Sequence, residues 1–344
     1  MQKILLLLFL FLSLGAFVLI RRKKNPAPSL VEGASQAPTK LYCLCTVDGE
    51  SDILWEVDKV TGELTEIVKL PDAEEDFMWK SPIVDPATGS IYLYQWINSE
   101  RGDFDLYRVD PEQKTLHKIG SLNPQTPYDS FQLYIIDGKL HTLIEKPLRN
   151  SETGQREYFL SLVSIDPNTA EQTLVADFGT VHQVLNISAN LWAEKTAYDP
   201  VSKDLFLPFC YVENDCKKCL LAKWNWTKGE IVVGETFDYD CIFLEKEGNI
   251  YGFFKNGKTT FSNNIRPIDP QTLKVGKSID TIIASEPNDF CYDAETKKVY
   301  SVRYNYCESA NTEWYTLISY DFKTKKTTKI KKYPTNFCLW ELFN

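Results

Sequence analysis

From Leu41 to the C-terminus the chain alternates apolar and polar residues with a period of two, in short runs rich in Val, Ile, Tyr, Phe and Thr. That alternation suits a pleated, half-buried surface better than a helix, so the runs predict strands. Six pairs of runs each flank one turn: LWEVDKVTGELTEIV, LYRVDPEQKTLHKI, LVSIDPNTAEQTLV, AKWNWTKGEIVV, IRPIDPQTLKVG and LISYDFKTKKTTKI. Their anchor residues are Asp58, Asp110, Asp166, Asn225, Asp269 and Asp321, spaced by 52, 56, 59, 44 and 52 residues. An Asp there can accept backbone N–H groups two residues on, Pro presets the next φ, and Gly or a polar residue takes the position needing positive φ. Each pair therefore predicts a hairpin. A second set lies between the first, around Asp85, Asp137, Asp199, Gly248 and Asp293.

Alternating the two sets gives four strands, A to D, in each period of about fifty residues, the length of one four-stranded propeller blade. The second set makes the A–B turns and the first set the C–D turns. The first repeat lacks a strand A, because LYCLCTV serves as its strand B. The unused tail Thr335–Asn344, with NFCLWELF at its core, predicts a strand that closes the ring as that missing strand A. Residues 40–344 thus resemble the six-bladed β-propeller superfamily, whose members include YWTD, NHL, TolB-like and gluconolactonase-like domains. LWEVD, LYRVD and LISYD stand where a repeated Tyr-Trp-Thr-Asp would be. The resemblance implies an all-β ring with each strand A lining a central channel and ligand sites near its mouth. It selects no activity, because function resides in sites grafted on folds.

The first 39 residues differ in kind. Ile4–Ile20 is a continuous apolar run, ILLLLFLFLSLGAFVLI, bounded by Lys3 and by Arg21-Arg22-Lys23-Lys24. Its length stands between a signal-peptide core and a membrane span, and apolar residues continue past the small residues at 13–15, which favours an uncleaved anchor. Residues 1–24 are read as a signal-anchor helix with a basic flank, contacting the membrane through residues 4–20. Residues 25–39, rich in Pro, Ser, Ala and Gly, read as a flexible linker.

Orientation receives two opposed signals. The four basic residues after the run would keep the propeller in the cytosol. Nine cysteines and two glycosylation sequons, at Asn186 and Asn225, point to the secretory pathway. Cys210 and Cys219 flank one hairpin loop, and Cys338 falls on the closing strand beside Cys43 and Cys45, so the fold brings both sets together as disulfides. A lumenal or extracellular propeller is the favoured expectation. Cys216-x-x-Cys219 has neither a second CxxC nor a nearby His to complete a zinc set.

Charge narrows the partners. The chain carries −9 overall, and setting aside Lys3 and Arg21–Lys24 leaves 33 basic against 47 acidic residues. Nucleic acid is therefore excluded as an expected partner. The connections opposite the tight turns are longer, and function usually sits on such loops. They carry an acidic set, Glu74, Glu75, Asp76, Asp238, Asp240, Glu286, Asn288 and Asp289, with Glu194 on an inner strand. Of these, Glu286, Asn288, Asp289 and Glu194 are the candidate calcium ligands, being hard oxygen donors. Glu286-Pro287-Asn288-Asp289 is similar to the Pro-Asn-Gly entry to an inner strand in gluconolactonase-like propellers, where the resemblance makes Asn288 a metal ligand. The three histidines, His117, His141 and His182, lie outside any nucleophile or metalloprotease motif. The expectation is a monomeric binding or scaffold module without catalysis that recognises a protein or glycan partner through the long-loop face. The alternative is a calcium-dependent lactonase or esterase-like hydrolase.

Overall fold

A computed structural model of the chain describes residues 40–47, 51–71, 79–98, 103–122, 132–149, 156–185, 191–193, 196–213, 216–237, 241–244, 249–255, 263–282, 290–307, 312–334 and 337–343. The apolar run and the linker lie outside them. The strands, in chain order, are β1 (Leu41–Val47), β2 (Ser51–Val57), β3 (Leu64–Lys69), β4 (Trp79–Val84), β5 (Ile91–Asn98), β6 (Asp103–Asp110) and β7 (Thr115–Leu122). Next come β8 (Leu133–Ile136), β9 (Lys139–Arg149), β10 (Arg156–Ile165), β11 (Gln172–Thr180) and a single helical turn, α1 (Val181–Leu185). Then follow β12 (Leu191–Ala193), β13 (Ala197–Asp199), β14 (Asp204–Glu213), β15 (Cys216–Asn225), β16 (Glu230–Phe237), β17 (Cys241–Leu244) and β18 (Ile250–Lys255). The chain ends with β19 (Asn263–Ile268), β20 (Asp280–Ile282), β21 (Cys291–Asp293), β22 (Lys298–Cys307), β23 (Thr312–Asp321), β24 (Lys326–Pro334) and β25 (Phe337–Phe343).

These strands form six antiparallel sheets. Blades two to six are β4–β7, β8–β11, β12/β13–β16, β17–β20 and β21–β24. Blade one is ordered β25-β1-β2-β3, so the last strand of the chain supplies its innermost position. The innermost strands contact one another in turn: β25 with β4, β4 with β8, β13 with β17, β17 with β21, and β21 with β25. Blades three and four are joined where Gln132 Oε1 accepts from Thr196 N at 2.7 Å and from Thr196 Oγ1 at 3.0 Å. The ring is therefore closed, as the alternation predicts. The strand A expected for blade four is interrupted: β12 and β13 pair separately with β14.

The core lies between blades, not within one. Leu160, Leu162, Phe178, Leu207, Phe209 and Trp224 fill the layer between blades three and four, with Phe178 set edge-on to Trp224 at 5.5 Å. Cys43, Cys45, Tyr300, Val302, Tyr333 and Leu342 fill the layer that closes the ring. Most of the aromatic residues that recur along the strands are thereby explained as packing.

Candidate functional site

The two ends of the ring are built differently, and the anchor residues explain the first. Asp58 Oδ1 accepts from Val60 N at 2.8 Å and Thr61 N at 2.7 Å. The same pair of bonds recurs at Asp110, Asp166, Asp269 and Asp321. In the A–B turns, Asp85, Asp199 and Asp293 are buried, accept one backbone N–H, and take a hydroxyl from Thr88, Ser202 and Thr296. The fifth residue of each such turn has positive φ, occupied by Gly62, Gly89 and Gly229 but also by Lys114, Ala170, Lys203, Leu273, Lys297 and Lys325.

Three of the four lysines in that position reach a neighbouring blade. Lys114 Nζ donates to Glu66 O of blade one, Lys325 Nζ to Ile279 O of blade five, and Lys203 Nζ to the Asp137 carboxylate of blade three. Gly62 is set apart by space, since a Cβ there would lie 2.6 Å from Lys331 Cβ. Blade one is clasped to blade six by Lys59 Nζ on Asp293 Oδ2 at 2.7 Å and by Tyr333 OH on Gly62 O at 2.6 Å. The polar groups of this end are largely consumed in holding turns and blades together.

A groove of about 410 Å³ opens between blades two and three at the same end, lined by Asp85, Tyr92, Ile135, Lys139, Asp166 and Glu171 among others. Asp85 and Asp166 already accept the turn bonds given above, and Glu171 adds an exposed carboxylate. His141, next in sequence to the lining residue Leu140, is buried, its pKa lowered by burial, with Nδ1 2.9 Å from Lys139 O. Blade two holds a second satisfied set: buried Asp105 accepts from Lys118 Nζ at 2.5 Å and Ser121 Oγ at 2.7 Å. The Gln132–Thr196 joint and the Asp105 set were not foreseen in the sequence. Their partners lie on different blades or strands, and no local spacing marks them.

The candidate calcium ligands lie outside the described residues. Glu194 falls between β12 and β13, and Glu286, Asn288 and Asp289 fall between β20 and β21. Glu74, Glu75, Asp76, Asp238 and Asp240 lie outside them too. Among the described residues no group of three or more His, Cys, Asp or Glu is placed to hold a metal.

The cysteines divide. Cys210 and Cys219, register partners across β14 and β15, are joined as a disulfide, which fits an oxidising compartment and leaves Cys219 no role in a CxxC site. The Cys43–Cys338 pairing is corrected: Cys43 is a buried thiol opposite Leu342, whereas Cys338 is opposite Thr46. Three strand positions is roughly 10 Å, beyond the Cα separation a disulfide spans. Burial raises the Cys43 pKa well above the usual thiol value.

The Asn225 sequon, expected on an exposed turn, falls inside the sheet. Its side chain is only 4% exposed, and Nδ2 donates to Ser202 O at 2.9 Å and Asp204 Oδ1 at 2.8 Å. Both amide hydrogens, one of which a glycan linkage would replace, are engaged inside the sheet. Asn186 lies outside the described residues. Among the described residues no helix is long and apolar enough to cross a membrane, and the apolar run is not among them.

No protein-family model and no curated protein matches the chain. Solved structures do match. The periplasmic gluconolactonase of Pseudomonas aeruginosa superposes with a TM-score of 0.50 at 10% identity, over 87% of this chain and 99% of that one. A candidate 6-phosphogluconolactonase from Bacteroides uniformis gives 0.51 at 10% identity, over 88% and 97%. A protein from Lactobacillus plantarum gives 0.50 at 13% identity, over 88% and 99%. At such identities the likeness is one of fold, and the chain is a six-bladed β-propeller with structural neighbours in the gluconolactonase and 6-phosphogluconolactonase-like group.

Proposed function

We propose that this propeller is a membrane-anchored or secreted binding module that recognises a protein or glycan through the end carrying its long connections. The observation that supports this is the division of labour between the two ends. At the turn end, the recurrent Asp side chains and the lysines at positive φ are committed to turn and inter-blade bonds. At the other end the connections range from the short β14–β15 link to the long β7–β8 link, and variation of that kind is where recognition is carried. Replacing the β9–β10 and β22–β23 connections with two-residue Asn-Gly turns, followed by glycan-array and co-purification measurements, tests the reading. Loss of a bound partner with an unchanged melting temperature supports it, and retention of that partner refutes it.

The second reading is a calcium-dependent lactonase. It is favoured by one observation: the gluconolactonase of P. aeruginosa shares the propeller over 99% of its length. In this chain Glu194, Glu286, Asn288 and Asp289 would supply the oxygen ligands. Millimolar Ca²⁺ should then raise the melting temperature, Asn288→Ala should remove that rise, and a δ-lactone should be opened at a rate that follows calcium. A flat response in both assays removes this reading.

A further inference from the structure

The outer edge of blade six reverses the charge of the molecule. Within ten residues stand Lys323, Lys325, Lys326, Lys329, Lys331 and Lys332, in a chain whose net charge is −9. They occupy the last C–D turn and β24, the outermost strand of the blade. All but Lys331 are exposed. Lys331 is paired with Glu63 of blade one at 2.7 Å, Lys325 bonds Ile279 O, and Lys332 Nζ stands 4.0 Å over the Trp314 ring. Lys323, Lys326 and Lys329 remain as exposed cations with solvent-facing ammonium groups.

Lysine on an edge strand ordinarily discourages edge-to-edge pairing. That account is insufficient here, because the other five outer strands do without such a set. Counted over the same turn and outer strand, blade one carries Lys59 and Lys69, blade two Lys114 and Lys118, blade three none, blade four Lys228, and blade five Lys274 and Lys277, against six in blade six. Something particular to blade six calls for its lysines.

We propose that this edge lies against an anionic lipid surface and sets the pose of the propeller on the membrane. The proposal rests on the anchor reading of residues 4–20 and deepens it. Two observations carry it. The first is position. The described chain begins at Lys40, which forms an ion pair with Glu56 of blade one, and blade one is the blade whose turn bears on β24 through Lys331–Glu63 and Tyr333–Gly62. Fifteen residues, 25–39, separate the basic flank of the apolar run from that point. An anchor at residues 4–20 would thus tether blade one, and with it the basic edge that its turn contacts, to a bilayer. The second is chemistry. Ammonium groups spread along a strand act as hydrated point charges that respond to a diffuse negative surface potential, whereas defined phosphate sites favour the forked guanidinium. The edge offers no free aromatic platform for bases, since the Trp314 face is covered by Lys332.

The test uses the full chain reconstituted into phosphatidylcholine vesicles and into vesicles that also contain phosphatidylserine. Acetylation of individual lysines is followed by mass spectrometry, with exposed Lys139 of blade three as internal reference. Lys323, Lys326 and Lys329 are expected to be protected only in the anionic vesicles, and high salt should abolish the protection. The variant Lys323→Glu/Lys326→Glu/Lys329→Glu, its fold checked by melting temperature, should weaken surface association on the order of 100-fold. Equal acetylation in the two vesicle types overturns the proposal, as does protection by heparin without vesicles that anionic lipid fails to reproduce. Failure of the chain to float with neutral vesicles would remove the anchor reading alone. The basic edge is then judged by co-sedimentation of the soluble chain with anionic vesicles, where absence of binding overturns it.

Discussion

Asn225 donates through Nδ2 to Asp204 Oδ1 at 2.8 Å, across the β14–β15 pair. This contact explains why one of the six anchors is an amide. In the other blades the residue facing the anchor, at or one step beyond the end of the ladder, is Lys40, Ser90, Lys139, Asn249 or Lys298. None of these is acidic, and an Asp is tolerated opposite each. Where the facing residue is Asp204, 7% exposed, a second carboxylate would meet it without solvent. Lys223 Nζ, 3.9 Å from Asp204 Oδ2, offsets only part of that repulsion, and Asn225→Asp is expected to destabilise the protein by about 2–4 kcal/mol. The exchange Asp204→Asn with Asn225→Asp should recover most of the loss in denaturant titration. An unaltered midpoint for the single variant would defeat the explanation.

The turn carboxylates make the molecule sensitive to acid. Asp58 is held below its usual pKa of 3.8 by the N–H groups of Thr61 and Val60. Asp269 is held down by Thr272 and Gln271, and Asp321 chiefly by Thr324. A carboxyl depressed in the folded state contributes stability above its unfolded pKa and loses it as pH falls through the folded one. Stability should therefore fall as pH drops below about 4. The triple Asn variant at these positions keeps Oδ1 as the turn acceptor, so its acid limb should be shallower in pH-dependent melting. An identical limb would assign acid unfolding to other groups.

The join between blades six and one contains a charge with no access to water. Asp293 is fully buried and its Oδ2 takes Lys59 Nζ at 2.7 Å. Lys59→Met leaves that carboxylate without its cation and is expected to cost about 3–5 kcal/mol. Adding Asp293→Asn should return part of it, because the amide oxygen can still accept from Glu295 N. Equal stability of single and double variants would show that the pair is not coupled.

The Cys210–Cys219 bridge closes a short loop between strands already in register. Removing it by Cys210→Ala with Cys219→Ala should lower stability by about 2–3 kcal/mol from loop entropy. The strand pairing should persist, with the far-ultraviolet spectrum unchanged.

The blade order was legible because its cause is local. An Asp that accepts two backbone N–H groups two and three residues ahead writes the turn into five consecutive positions, as at Asp58, Asp269 and Asp321. The closing strand could be read too, since the first blade was short of one strand and the tail had one spare. What could not be read depends on residues far apart in sequence. Asn225 looks like an exposed sequon until Asp204 is placed across from it. Cys43 and Cys338 share two paired strands, yet the register, shifted by an irregularity between Leu44 and Cys45, decides which positions meet. The split of blade four into β12 and β13, with α1 ahead of it, follows no periodicity in the chain. The candidate calcium ligands, on connections outside the described residues, stand as the sequence left them.

The borrowed strand of blade one also imposes an order in time. During synthesis from the N-terminus, β1, β2 and β3 emerge before the other strands of the ring, while their fourth partner, β25, emerges after all of them. Until then β1 presents an unpaired edge. Leu342 and Phe343, both buried in the finished ring, have no place to go before that moment. The final contact joins residues separated by almost the whole chain, the slowest kind to form. A nascent chain stalled before β25 has emerged would thus hold five complete blades and one open seam, and the ring would be committed only when that strand arrives.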